Sequence, residues 1–201
     1  MEYNNNEWHL SKSWEQLSTE VIEKDKALSS VLSTVLSDRY VDIGHVKRID
    51  FVKHIENDID VHVWGGNKFN WKNYKGPLPP NKKDDGLLPY KYTFNAENNN
   101  IPNYYTEKII DGILAECLVF YSGCPNIGEF IDKRAFVKLE LSNIDDDKAT
   151  ITKAMKDNTW EKRLPYIKKA KQKILNTLQF FPRLEEIIRR HDIRHDRSKS
   201  N

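Results

Sequence analysis

The chain has 201 residues, enough for one domain with a sizeable core. Hydrophobic residues make up 38% and charged residues 31%, which is polar for a globular protein but too apolar for a disordered one. A net charge of +2 removes any global electrostatic case for a polyanionic partner, so such a case rests on a local patch. Cys117 and Cys124 are the only cysteines, which argues against a disulfide scaffold or structural zinc and for a reducing compartment. The opening Met1-Glu2-Tyr3-Asn4 lacks the order of a secretory signal, and no apolar run approaches the roughly 20 residues of a membrane-spanning helix. The expectation is a soluble, single-domain protein without a membrane partner.

In chain order, residues 13–36 read as a helix, because Trp14, Leu17, Val21, Leu28, Val31 and Val35 recur at helical spacing and Ser13 with Gln16 can close a capping box. From residue 41 to 74 the pattern changes to period two. Ile49, Phe51 and Ile55 form a first run, Ile59, Val61 and Val63 a second, and Phe69, Trp71 and Tyr74 a third. Asn57-Asp58 and Gly65-Gly66-Asn67 supply the turns of this meander. Residues 75–103 are a proline-rich loop with a short strand over Tyr90–Phe94, and loops of this length are usually functional or disordered. Residues 104–121 return to helix on Tyr105, Ile109, Ile113, Cys117 and Phe120. Ala135, Val137, Leu139 and Leu141 then alternate as a strand, with residues 149–154 as hairpin partner. Pro165 suits the first turn of a closing helix on Ile167, Ala170, Ile174 and Leu178, and Pro182 ends or kinks it before a charged tail.

Helix, three strands, helix, two strands, helix is the order of a five-stranded OB-type barrel. The expected fold is therefore α+β with a mainly β core. It divides into an N-terminal helical extension (1–38), the barrel (39–158), a C-terminal helix (159–190) and a charged tail (191–201).

Gly44-His45-Val46-Lys47-Arg48-Ile49-Asp50 resembles the entry to the first barrel strand in one OB-fold family. That family comprises the replication protein A middle subunit and its paralogue in the telomere-capping CST complex. Asp157-Asn158-Thr159-Trp160-Glu161 stands where the family turns into its closing helix. The resemblance implies a non-enzymatic subunit, without cofactor, of a complex that binds single-stranded nucleic acid in telomere maintenance or replication. It further implies a nuclear protein, or a cytoplasmic one in a bacterium or virus. The closing helix, through Ile167, Ala170, Ile174 and Leu178, would pack on a smaller OB-fold protein.

Candidate chemistry follows the same division. Trp64, Phe69, Trp71, Lys72, Tyr74 and Lys75 surround strands two and three, where OB folds stack bases on aromatics and pair phosphates with cations. They are the expected nucleic-acid site, for DNA ahead of RNA; the plainer reading lets alternate aromatics fill the core. A second function class rests on Asp58, Asp60 and Glu140 as the carboxylates of a metal-dependent nucleotidyltransferase, although His45 stands where that chemistry wants serine after Gly44. A third reading is a module that binds protein only. Arg190 and His195 have the spacing of a ribonuclease pair but lie in the charged tail, and Lys108–Gly112 misses a ligase-type motif by one residue. His45, His54 and His62 read as strand-edge residues rather than a metal site, and Cys117 as a core residue.

Overall fold

The computed structural model describes residues 8–33, 44–66 and 70–198, without the side chains of His45 and of residues 190–198. Six strands are described: β1 (Lys26–Leu32), β2 (Val61–Gly65), β3 (Tyr74–Gly76), β4 (Tyr90–Ala96), β5 (Leu118–Ser122) and β6 (Phe136–Lys138). They form one sheet in the order β3-β2-β1-β4-β5-β6, and every neighbouring pair is parallel. Parallel neighbours need crossover connections, and these supply α2 (Gly44–Ile55) and α4 (Glu107–Leu114). The remaining helices are α1 (Trp14–Thr19), α3 (Asp84–Leu87), α5 (Ile144–Lys156), α6 (Thr159–Asn176) and α7 (Phe180–Ser198).

Both faces of the sheet are covered. On one face, Thr93, Asn95 and Val119 receive α4, which approaches so closely that a Cβ on Gly112 would stand 2.6 Å from Val119 Cγ2. On the other face, Phe94 packs its ring 4.8 Å from that of Phe51 on α2, and Tyr92 hydrogen-bonds Ala154 of α5 and Trp160 of α6. A sheet buried on both sides reads as continuous apolar runs rather than as alternation. Leu118-Val119-Phe120-Tyr121 is such a run, with all four side chains at zero exposure.

This architecture replaces the expected five-stranded OB barrel, whose strands are antiparallel. The helix expected over 13–36 is the short α1, opened by the Ser13/Gln16 capping box and ended at Thr19, followed by the central strand β1. The strand expected around Ile49, Phe51 and Ile55 is helix α2, which buries all three together with Val52. The helix expected over 104–121 is split: α4 stops at Leu114, Glu116 takes a positive φ, and β5 begins. Residues 149–154 belong to α5 rather than to a hairpin, and Pro165 lies inside α6 rather than in its first turn. The strands at Tyr90–Phe94 and Val61–Val63 correspond to β4 and β2. Since β1 lies at the centre of the sheet and α6 packs on β5 and α4, residues assigned to flanking extensions contribute to the same core.

Candidate active site

Strand order reverses beside β1. The chain runs outward through β2 and β3, then returns to place β4 on the opposite side of β1. This is the doubly wound order, and its crevice opens at the carboxyl ends of the strands where connections leave in opposite directions. Here β1 leads to α2 on one face and β4 leads to α4 on the other. Whatever binds in the crevice meets the loop after β4 and the amino end of α4.

A single buried carboxylate fixes that region. Glu97 immediately follows β4, and its Oε1 accepts from Thr106 N–H at 2.9 Å and from the Tyr121 hydroxyl at 3.2 Å. Its Oε2 accepts from the Thr106 hydroxyl at 2.7 Å, and Lys108 Nζ lies 3.4 Å away. Thr106 is the N-cap of α4, its hydroxyl accepting from Lys108 N–H. Asn95 holds the same turn from below, donating to the Lys108 carbonyl at 2.7 Å. Charge-assisted bonds of this kind are short and strong, so the loop closes on a rigid amino end of α4.

Three cations line a cavity of about 310 Å³ above β1 and β2, together with Val31, Gly65 and Pro79. Arg48 reaches in from α2, donating to Asn98 Oδ1 at 2.9 Å and the Ala96 carbonyl at 3.3 Å. Burial draws its pKa below the usual arginine range, opposed by the Glu97 and Glu107 carboxylates. Lys83 enters from the loop before α3, its Nζ 2.7 Å from Asp111 Oδ2. Lys108 is the second residue of α4. Glu107 is the one carboxylate in the lining. Burial would raise its pKa, but the Lys108 and Lys83 ammonium groups outweigh this and hold it below the usual carboxylate range. The lining therefore carries a positive excess at a helix amino end, the arrangement that attracts phosphate. Gly65 closes the floor with φ +115°, where a side chain would be strained and would meet the Leu32 backbone.

A second cavity of about 230 Å³ lies between the loop after β4 and the turn after β6. Its lining is polar, including Lys47, Asn98, Ser122 and Glu140. Asp147 on α5 accepts from Leu141 N–H at 2.7 Å and so anchors that turn.

Of the described candidate residues singled out from sequence, Glu140 lines the second cavity, and the others lie outside the cationic one. Trp71 is buried, with the Lys53 ammonium 4.5 Å from its ring centroid. Trp64 donates its indole N–H to the Tyr90 hydroxyl at 3.0 Å, and Tyr74 donates to the Gly65 carbonyl at 2.6 Å. Lys72 reaches the Asn57 carbonyl, Lys75 is exposed, and Phe69 lies outside the described residues. Among the described residues, Trp64, Trp71 and Tyr74 pack and hydrogen-bond within the β2–β3 side of the sheet. Asp58 pairs with Lys148 at 3.0 Å, and Asp60 accepts from Asn73 at 2.5 Å. Both precede β2, at the amino edge of the sheet, whereas Glu140 follows β6 at the carboxyl edge and pairs with Lys138 at 2.9 Å. Among the described residues no group of three or more His, Cys, Asp or Glu is placed to hold a metal. Ile167, Ala170, Ile174 and Leu178 are all buried inside this chain's own core, not turned toward a partner. Cys117 is fully buried, its thiol within bonding distance of the Leu87 and Tyr90 carbonyls. Arg190 and His195 fall in α7, where side chains are outside the described residues.

Sequence reasoning missed Arg48, Lys83, Glu107 and Lys108 as a set. The available signal was local: a strand at Tyr90–Phe94, a polar loop, then Thr106-Glu107-Lys108 opening an apolar helix, which is a βα unit with a capped, cationic helix start.

The likenesses to known proteins lie in the family and in the fold. The family model "Glycosyltransferase family 10 (fucosyltransferase) C-term" matches residues 22–175. No curated protein matches the chain by sequence. Among solved structures, an α1,3-fucosyltransferase with GDP-fucose is similar at 17% identity and TM-score 0.55, over 78% of this chain and 49% of that one. A second α1,3-fucosyltransferase structure, with GDP, gives 20% identity and TM-score 0.53, over 78% and 48%. TarM gives 14% identity and TM-score 0.56, over 85% and 36%. The chain thus spans about half the length of the fucosyltransferase structures it matches. No described helix is long and apolar enough to cross a membrane. The family match overturns the non-enzymatic nucleic-acid subunit and its nucleotidyltransferase alternative. With them go the single-stranded DNA and smaller OB-fold partners, the likeness to replication protein A and CST, and the nuclear placement. A match across most of its residues, on a doubly wound sheet with a cationic crevice at the strand reversal, places the chain in glycosyltransferase family 10, the fucosyltransferases, in their carboxy-terminal part.

Proposed function

We propose that this chain forms the donor-binding half of a sugar transferase. It would take a nucleoside diphosphate sugar of the GDP-fucose type into the crevice between β1 and β4. The observation that carries the reading is the convergence of Arg48, Lys83 and Lys108 on one cavity at the capped start of α4. A diphosphate is the common ligand chemistry that needs several cations and backbone N–H groups in one place. The solved fucosyltransferase with GDP-fucose lends the donor's identity.

Sugar transfer forms a bond between an acceptor oxygen and the anomeric carbon and breaks the bond from that carbon to the diphosphate. Negative charge grows on the departing phosphate oxygen as that bond breaks. Cations fixed in advance, in a site that excludes much of the water, stabilise that charge more than a solvated site does. Arg48 and Lys108 are held in this way by Asn98, Glu97 and Thr106. The chain's own chemical task would be to grip the leaving group.

GDP titrated calorimetrically into the protein tests this reading. Lys108→Gln keeps a good helix former and most of the side-chain reach but removes the charge. Losing a hydrogen bond to a charged group contributes about 1.5–3 kcal/mol, so affinity should fall roughly 10- to 100-fold. Wild-type protein that ignores millimolar GDP, or a Lys108→Gln protein that binds as well as wild type, sinks the proposal.

A further inference from the structure

Lys83 has four rotatable bonds and, at the rim of the crevice, would spend much of its time in water unless something held it. The structure contains such a holder. Asp111 lies one turn along α4 from Glu107, its side chain 1% exposed, with Oδ2 2.7 Å from Lys83 Nζ. Its Oδ1 accepts from the His9 backbone N–H at 2.8 Å, and the His9 carbonyl accepts from Lys83 N–H at 2.7 Å. Two residues on, Ser11 donates its N–H and hydroxyl to Asp84 at 2.9 and 2.8 Å. Residues 9–11 therefore form a strap that ties the loop carrying Lys83 and Asp84 to the flank of α4.

A buried ion pair is a poor source of net stability but an effective means of fixing geometry. Burial pushes the Asp111 carboxyl up, while Lys83 and the His9 backbone pull against it. We propose that Asp111, with the His9–Ser11 strap, is a positioning residue that fixes the Lys83 ammonium at the phosphate end of the crevice. The assignment rests on the donor-binding reading above. It gives a role to a segment about a hundred residues away in sequence from the helix it grips.

Charge and position make opposite predictions for Asp111→Asn. This variant keeps the side-chain volume and the acceptor for His9 N–H but loses the negative charge. If charge alone mattered, removing an anion beside an anion site would tighten binding. Positioning instead predicts three- to tenfold weaker binding, and no further loss when Asp111→Asn is added to Lys83→Ala. A purely structural role would lower affinity by the same factor in both backgrounds, because Lys83 would not be its route.

The probes are GDP and inorganic pyrophosphate, each titrated into the four proteins of the cycle, with a thermal melt of each. Asp84→Ala, which releases Ser11 without touching a group lining the crevice, is the second variant should Asp111→Asn fold poorly. It should weaken both probes about twofold with Lys83 present and not with Lys83→Ala. Binding that is tighter, unchanged, or equally weakened in both backgrounds overturns the positioning role. Pyrophosphate binding with the expected cycle but no response to GDP removes the nucleotide reading and supports the positioning role. Loss of both probes in the wild type removes both.

Discussion

Replacing Gly112 with valine is expected to destabilise the protein by about 3 kcal/mol and to remove nucleotide binding with it. Gly112 lies in the middle of α4, where glycine normally costs about 1 kcal/mol relative to alanine. Its presence is explained by the sheet beneath. A Cβ there would stand 2.6 Å from Val119 Cγ2 and 3.1 Å from Thr93 Cγ2. Both neighbours are β-branched and stiff at χ1, so neither can turn aside cheaply. The helix itself must lift, and with it Lys108 and the Thr106 cap. At about 2–4 °C per kcal/mol for a chain of this size, the melting midpoint should fall roughly 6–12 °C. Gly112→Ala should sit between the two, its clash partly offset by better helix propensity. A Gly112→Val protein with an unchanged melt and GDP affinity would show that α4 is not seated on the sheet as described.

The second large effect is expected at Ile174→Glu. Ile174 is at zero exposure on α6, in line with Ile167, Ala170 and Leu178, which face α4 and β5. A carboxylate placed there has no partner and cannot reach water, a cost of several kcal/mol added to the lost apolar burial. The isolated chain should lose its cooperative unfolding transition or melt at least 10 °C lower, on the same conversion. Had this stripe been a docking face, the variant would melt normally and fail only to bind its partner. A normal melt would therefore reopen that role.

What could be read from the sequence was the apolar pattern, and what misled was its period. In β1, Leu28, Ser29, Ser30, Val31 and Leu32 are buried or half-buried regardless of face, so no alternation marks the strand. Helical spacing carried over from α1 filled the gap. The reverse happened in α2, where Ile49, Phe51 and Ile55 stand at odd positions and look alternating, although Val52 is buried with them. Between α4 and β5 the apolar spacing runs on through Cys117, while the backbone changes course at Glu116, a non-glycine residue with φ 61°. No composition signal announces that position. The order of the elements, and so the fold class, failed with these assignments, because four strand–helix confusions, the last at residues 149–154 of α5, convert an α/β alternation into a barrel order. The closing helix was legible because α6 has one exposed face, and amphipathy survives only where water is present. The site was harder. Arg48, Lys83 and Lys108 are 25 or more residues apart in sequence, and only the return of β4 to the side of β1 brings them together.

That return also governs how the chain reaches its folded state. β1 is the hub of the sheet, and its register with β4 joins Ser29 to Thr93 and Ser30 to Phe94, each pair 64 residues apart. Loop-closure entropy must be overcome before such a contact contributes anything, so topologies dominated by distant pairing fold slowly for their size. On a ribosome, β1, β2 and β3 emerge before β4, with one edge of β1 bare until residues 90–96 follow. Ser29 and Ser30 in the middle of that edge lower its apolar character at the moment when it has no neighbour. An exposed strand edge invites pairing with other chains, and an edge broken by polar side chains invites it less. In the finished sheet the same two serines are buried, their hydroxyls bonded to Thr93 and to the Phe94 carbonyl of β4.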